Sequence, residues 1–345
     1  MAGRSWSYLA GFRMTQNTPD FALRCTAYGN PPAIDIVAAE TPSLGPSDVR
    51  IAVECAAFNF TDHLLVQGRY QDKPNLPFTP GLDAAGKIIE VGSEVRGFKP
   101  GDAVVSSGVV GAWAARLIAP AHRLVHIPAG LAPADAVASI NSHLTAYHGL
   151  IDRAGLTAGD RVVVFGANGA VGKACVQIAC HAGAQVYTVT RTPNGLLLED
   201  TARQKHITVT PDTLKEGLRE LLGKAGADIV VDPVGDFYTE AGVRNLAWRG
   251  RLLVIGFAAG DIPKVPTNLL LLKGASVVGV YCGGLLVQET SAFTQQMAQM
   301  FGLMAQGTLT PSPHETWPAQ SFTDIWERFS SAPRGTKVLL GFSTP

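Results

Sequence analysis

Between residues 20 and 139 the apolar positions come in short runs, among them DVRIAVECAAF, AGKIIEVG and DAVVSS. Clusters rich in Pro, Gly and Asp (TPSLGPSD, FTPGLD, GFKPGD) separate them. Runs of this length between such breakers predict strands at the spacing of a small barrel or sandwich. From about residue 140 the pattern changes. The Val/Ile runs RVVVFG, QVYTVT, ADIVVDPVG, GRLLVIGF and ASVVGVYCG alternate with helical stretches such as VGKACVQIACHAG. Strand and helix in alternation predict a parallel sheet covered by helices on both faces. Beyond residue 285, SAFTQQMAQMFGLMAQGTL places Phe293, Met297, Met300, Phe301 and Met304 near one helical face, and TKVLLGF closes the chain as a strand. The predicted architecture is α/β: a β-rich domain of residues 20–139 and 286–345, interrupted by an α/β domain of residues 140–285.

The run RVVVFGANGAVGKACVQIA breaks into a glycine turn and resumes with apolar positions Val171, Cys175 and Ile178 on one helical face. Gly183 is placed to end that helix. A turn between strand and helix aims free N–H groups and the helix dipole at an anion, which suits the pyrophosphate of a dinucleotide. Against the GxGxxG fingerprint, Ala167 stands at the first glycine, Gly169 at the second and Gly172 at the third. The second strand ends at Thr190 and Arg191, with no carboxylate before Glu199. A hydroxyl followed by a cation suits a ribose phosphate, so NADP(H) is expected over NAD(H).

Composition narrows the partners. Lys plus Arg and Asp plus Glu number 28 each among 345 residues, and no basic stripe with interleaved aromatics occurs, so nucleic acid and anionic membranes are not expected partners. No apolar run approaches a membrane span. The five cysteines are dispersed, without a CxxC pair, as expected of reduced thiols in a cytoplasmic protein. The first 19 residues read as a loose extension rather than a signal peptide. A small-molecule substrate is the expected partner.

FNFTDHLLVQGRY, PFTPGLDAAGKIIEVGSEVRGFKPGDAV and INSHLTAYHGLIDRAGLTAGDRVVVFGANGAVG together resemble the zinc-independent medium-chain dehydrogenases/reductases, in their quinone oxidoreductase (zeta-crystallin-like) branch. The similarity runs from about residue 22 to the C-terminus. It implies a GroES-like β-rich domain plus a Rossmann doubly wound parallel-sheet domain, with the cofactor in the cleft between them. Where the family's zinc enzymes carry Gly-His-Glu, this chain reads Gly81-Leu82-Asp83. Asn59 and Asn141 stand near the flanking cysteine positions, so no catalytic zinc is expected.

Matched residue by residue, the resemblance implies catalytic roles for Tyr70, as proton donor, and Asn59. It places Asn59, Thr145, Asn168, Gly169, Ala170, Val171, Thr190, Arg191, Gly256, Phe257 and Lys337 around the cofactor. Pro211 stands close to where the family often has a tyrosine near the adenosine phosphate. Asp62 is expected to fix the loop or helix start, and neither Asp62 with His63 nor Ser142 with His143 is expected to form a catalytic pair. The leading reading is an NADPH-dependent reductase of quinones or activated alkenes. Reduction of a 2-enoyl thioester, and cofactor binding with little turnover, remain as alternatives. The acceptor pocket is expected in variable loops at 66–76, 107–114 and 281–290. The apolar strand ASVVGVYCG, 275–283, is a candidate edge for a homodimer.

Overall fold

A computed structural model describes residues 20–40, 42–71, 73–191, 203–210, 212–332 and 335–342. The readings of the first 19 residues and of Glu199 and Pro211 lie outside these. The chain opens with the antiparallel pair β1 (Phe21–Ala27) and β2 (Ala33–Ala38). There follow β3 (Asp48–Phe58), α1 (Phe60–Val66), β4 (Asp83–Val91), β5 (Ala103–Ser107), β6 (Arg116–Pro120) and β7 (Leu124–His126). A long irregular helix comes next: α2 (Pro133–Ser139), a π turn (Ile140–Leu144), α3 (Thr145–Tyr147) and a second π segment (His148–Arg153). This helix starts ahead of residue 140, inside the stretch read as β-rich, because Pro133 occupies the first helical turn and the following ADAVAS has no strand former beyond one valine.

The α/β part comprises β8 (Arg161–Phe165), α4 (Ala170–His181), β9 (Gln185–Thr190), β10 (Gln204–Thr208), α5 (Leu214–Leu222), β11 (Ala227–Asp232), α6 (Phe237–Arg244), β12 (Leu246–Val254), α7 (Thr267–Lys273) and β13 (Ser276–Gly279). Its six strands are all parallel, in the order β10-β9-β8-β11-β12-β13. Since β8 is the first strand of this sheet, the order reads 3-2-1-4-5-6, the doubly wound arrangement with a crevice where the winding reverses, between β8 and β11.

The chain then returns through α8 (Cys282–Gln288), α9 (Thr290–Ala305), β14 (His314–Pro318), α10 (Phe322–Ser331) and β15 (Lys337–Gly341). The second sheet runs β14-β15-β3-β4-β5-β7, with β6 also paired to β3. The β-rich half is thus completed by strands from both ends of the chain.

Two sequence expectations are corrected here. The edge strand is only four residues long, and the stretch 281–290, expected as loop, lies largely in α8. A Cβ on Gly283 or Gly284 would approach the Tyr281 ring to 2.8 or 2.7 Å, so the backbone folds back tightly against that ring and the apolar run cannot continue as strand. The α9 stripe holds as expected: Phe293, Met297, Met300, Phe301 and Met304 are all buried. It packs in a core shared by both halves, with Val105 of β5, Ile140 and Leu144 of the irregular helix, Cys175 of α4 and Val164 of β8. Burying side chains of this size stabilises by about 1.5–3 kcal/mol each, so the two sheets are held as one packed unit. Among the described residues no helix is long and apolar enough to cross a membrane.

Candidate active site

The C-terminal ends of the parallel strands form one wall of the site. After β8, Gly166 turns with φ of 60°, a conformation that glycine alone adopts without strain. Its carbonyl accepts the Gly169 amide at 2.8 Å, and Gly169 caps α4. A Cβ on Gly172 would lie 2.3 Å from the Gly166 oxygen, so this glycine permits helix and turn to touch. The turn glycine is therefore Gly166, one residue ahead of the position where the fingerprint spacing put Ala167. The first-turn amides of α4, at Ala170 and Val171, are unable to bond within the helix and lie at partly exposed residues beyond the strand end.

Neighbouring strand ends add to the same edge. Thr190 is buried beside the His206 ring (Oγ1 to Nε2 3.4 Å), whereas Arg191 is exposed and close enough to Tyr238 to act on its phenol. After β11, Asp232 accepts the amides of Val234 and Gly235 at 3.0 and 2.8 Å and the Thr239 hydroxyl, clamping the turn. Sequence reasoning missed Asp232; the signal was a carboxylate at a strand end before Pro-Val-Gly. Gly256 and Phe257 follow β12, and a Cβ on Gly235 would lie 2.9 Å from the partly exposed Phe257 ring. Thr145, partly buried, lies beside the Cys282 thiol. Burial pushes that thiol up to about 11, so it stays protonated.

A second polar group is built within the β-rich half, and Gly335, two residues before its lysine, Lys337, lies close to the glycine turn, where an added Cβ would be 3.1 Å from the Asn168 oxygen. Asn59 caps α1, and its backbone N–H donates to Asp62 Oδ2 at 2.8 Å in a capping box, so Asp62 fixes the helix start as expected. Its side chain is buried, with Nδ2 donating to Asp83 Oδ2 at 2.8 Å and Oδ1 accepting from Lys337 Nζ at 3.1 Å. Asp83 is also held by the Ser107 hydroxyl at 2.7 Å and the Gly108 amide at 3.4 Å. Desolvation pushes Asp62 up to about 8 and raises Asp83 as well, while Lys337 is lowered by desolvation and supported by both carboxyls. The lysine stem stays partly exposed, although its ammonium lies in dense surroundings.

His63 turns away from Asp62. It pairs with Gln67 at 2.9 Å and stacks on Trp326 of α10, with ring centroids 4.6 Å apart. Tyr70 follows α1 beyond Gly68, whose φ is 68°, and is partly buried. Ser142 and His143 do approach, at 3.3 Å, but both are buried and their third partner is the Ser312 hydroxyl rather than a carboxylate. Burial drives His143 down to about 4, which keeps it neutral and makes the group a structural contact.

A 3-2-1-4-5-6 sheet with a glycine turn at its reversal, joined to a β-rich part that holds a buried polar cluster, defines the doubly wound, dinucleotide-binding class of two-part proteins. Residues 45–129 match the alcohol dehydrogenase GroES-like domain, and residues 170–302 match the domain called zinc-binding dehydrogenase. The chain is 32% identical to quinone oxidoreductase-like protein 2 of Rattus norvegicus over 92% of its own length and 91% of that protein. A probable oxidoreductase from Mycobacterium abscessus has 30% identity and a TM-score of 0.77, over 94% of this chain and 99% of that one. A mycobacterial protein solved with NADPH shares the fold, with a TM-score of 0.79 and 24% identity over 93% and 100% of the two chains. The chain belongs to the medium-chain dehydrogenase/reductase family, in its quinone oxidoreductase branch.

Zinc, which the second domain's description mentions, does not suit the residues present. The Asn59 oxygen already faces an ammonium, Leu82 offers hydrocarbon, and no group of three or more His, Cys, Asp or Glu among the described residues could hold a metal ion.

Proposed function

We propose that this protein is a zinc-independent, NADPH-dependent reductase of quinones or of the carbon–carbon double bond of α,β-unsaturated carbonyl compounds. The observation that carries this reading is Asn59: a buried amide with one N–H on Asp83, its oxygen on Lys337, and no further acceptor among the described residues for its second N–H. Bound NADPH supplies the hydride. Negative charge then develops on the substrate oxygen, and a fixed neutral donor stabilises it where water is excluded. Tyr70 supplies the proton, so one hydride and one proton complete a two-electron reduction.

The first-turn amides of α4, at Ala170 and Val171, with Asn168 and Gly169, hold the pyrophosphate. Thr190 and Arg191 meet the ribose phosphate, and Thr145, Gly256 and Phe257 border the nicotinamide. NADPH consumption by chelator-treated protein with a para-quinone, beside NADH, tests the whole reading. Rapid oxidation of NADPH with slow oxidation of NADH is expected; oxidation of neither nucleotide refutes it. Tyr70→Phe is expected to cut turnover by about a hundredfold while NADPH affinity stays within twofold; unchanged turnover removes Tyr70 from the chemistry.

The exposed Tyr281 and Val287 favour an aromatic or alkyl acceptor over a large anionic carrier. We also assign a homodimer built on β13, whose outer edge is unpaired among the described strands. Nearby Leu271, Leu272 and Trp248 are exposed. A monomeric mass at micromolar concentration would refute that assembly.

A further inference from the structure

Two hydrogen bonds orient the Asn59 side chain: its oxygen accepts from Lys337 Nζ and its Nδ2 donates to Asp83 Oδ2. Both anchors are themselves fixed. Asp83 is gripped by Ser107 and Gly108. Lys337 opens β15, its amide bonded to the Pro313 oxygen at 2.7 Å, and Val338 pairs with Phe58. Continuing that antiparallel register by one residue sets Lys337 beside Asn59. The lysine is therefore delivered to the amide by backbone pairing and not by the reach of a flexible stem.

An amide with a cation on its oxygen loses electron density toward that oxygen, and its N–H groups become better donors. One N–H is held by Asp83; with the plane pinned at two points, the direction of the other is set. The charged and titratable groups facing Lys337 are Asp83 from β4, Asp62 from α1 and His143 from the π turn, the last kept neutral by burial.

We infer that Lys337 is a positioning residue that acts through Asn59: its ammonium fixes and polarises the Asn59 amide so that the free N–H is presented, strengthened, to the substrate oxygen that gains charge. This rests on the assignment of Asn59 as the donor to that oxygen. It differs from the role that matching to the family implies, in which Lys337 grips the cofactor directly.

A double-mutant cycle separates the two. Lys337→Met, Asn59→Ala and the double variant are compared with the parent by kcat and KM for a para-quinone, NADPH dissociation constant by fluorescence titration, and thermal melting. Lys337→Met is expected to lower kcat by roughly tenfold to a hundredfold, with the NADPH dissociation constant changed less than about twofold. The double variant is expected to be no slower than Asn59→Ala alone, and Lys337→Arg, which keeps a cationic donor, to recover part of the loss.

Multiplying losses in the double variant would overturn the inference. So would a tenfold weaker NADPH complex with kcat retained, the signature of a direct cofactor contact. If Lys337→Met melts below the assay temperature, Lys337→Arg and Lys337→Gln carry the test: Arg faster than Gln at equal NADPH affinity supports it, and equal rates refute it. Should Asn59→Ala itself turn over normally, the donor assignment fails and takes this inference with it. Slow Asn59→Ala beside normal Lys337→Met defeats the lysine role alone.

Discussion

The two walls of the cleft are built by opposite means. The parallel-sheet wall relies on backbone: glycines at 166, 169 and 172 bring strand, turn and helix into contact, and the polar groups offered are main-chain amides. The β-rich wall relies on side chains from distant parts of the chain, with Asn59 bonded to Asp83 and to Lys337, 278 positions away. A backbone wall offers fixed dipoles that do not titrate, whereas a side-chain wall carries charge that responds to its neighbours. Binding of a cofactor common to many enzymes suits the first. Electrostatic work on a developing oxyanion suits the second.

The sharpest way to break the first wall is Gly172→Val. The clash is with a main-chain oxygen that cannot swing aside, so destabilisation of about 3 kcal/mol and loss of NADPH binding are expected in thermal melts and nucleotide titration. Wild-type affinity in that variant would show that the wall yields.

A smaller change probes Arg191, an exposed cation at the end of β9. Arg191→Ala is expected to weaken NADPH by roughly tenfold with NADH affinity unaltered, the loss of about one charge-assisted bond. Equal changes for both nucleotides would separate Arg191 from the ribose phosphate.

The smallest effect tests whether the side-chain wall holds charge as described. Burial raises Asp62 from 3.8 to about 8, so between those values the folded state keeps a proton that the unfolded state releases. Folding stability from this group is therefore highest at low pH and falls as pH rises through the window. Asp62→Asn lacks the titration. Its melting temperature, compared with the parent, is expected to improve by a few degrees between pH 5 and pH 8; a constant difference would mean that Asp62 is ionised throughout.

Legibility in the sequence followed the same division. The glycine turn, the α4 face and the α9 stripe are local patterns, and each could be read from neighbours a few residues apart. Even there, Gly166 was overlooked because fingerprint spacing names positions and not the sign of φ. Matching picked out Asn59 and Lys337 singly, but their contact depends on the register of β15 against β3, which no window of sequence contains. The end of β13 was also invisible, since Val280, Tyr281 and Cys282 prolong the apolar run and only the packing of Gly283 and Gly284 on the Tyr281 ring shows where the strand stops.

The pairing of β15 with β3 has a consequence during synthesis. From the moment β3 leaves the ribosome, the end of one edge, Cys55–Phe58, waits through the whole parallel sheet for a strand that follows it by some 280 residues, while β6 covers Asp48–Ala52 early. A contact of such sequence separation forms late and slowly, and an open apolar edge invites wrong partners meanwhile. The parallel-sheet half, by contrast, has all its strands in hand before β15 is made. The parallel-sheet half can therefore be assembled first, and Asn59 meets Lys337 only when β15 docks.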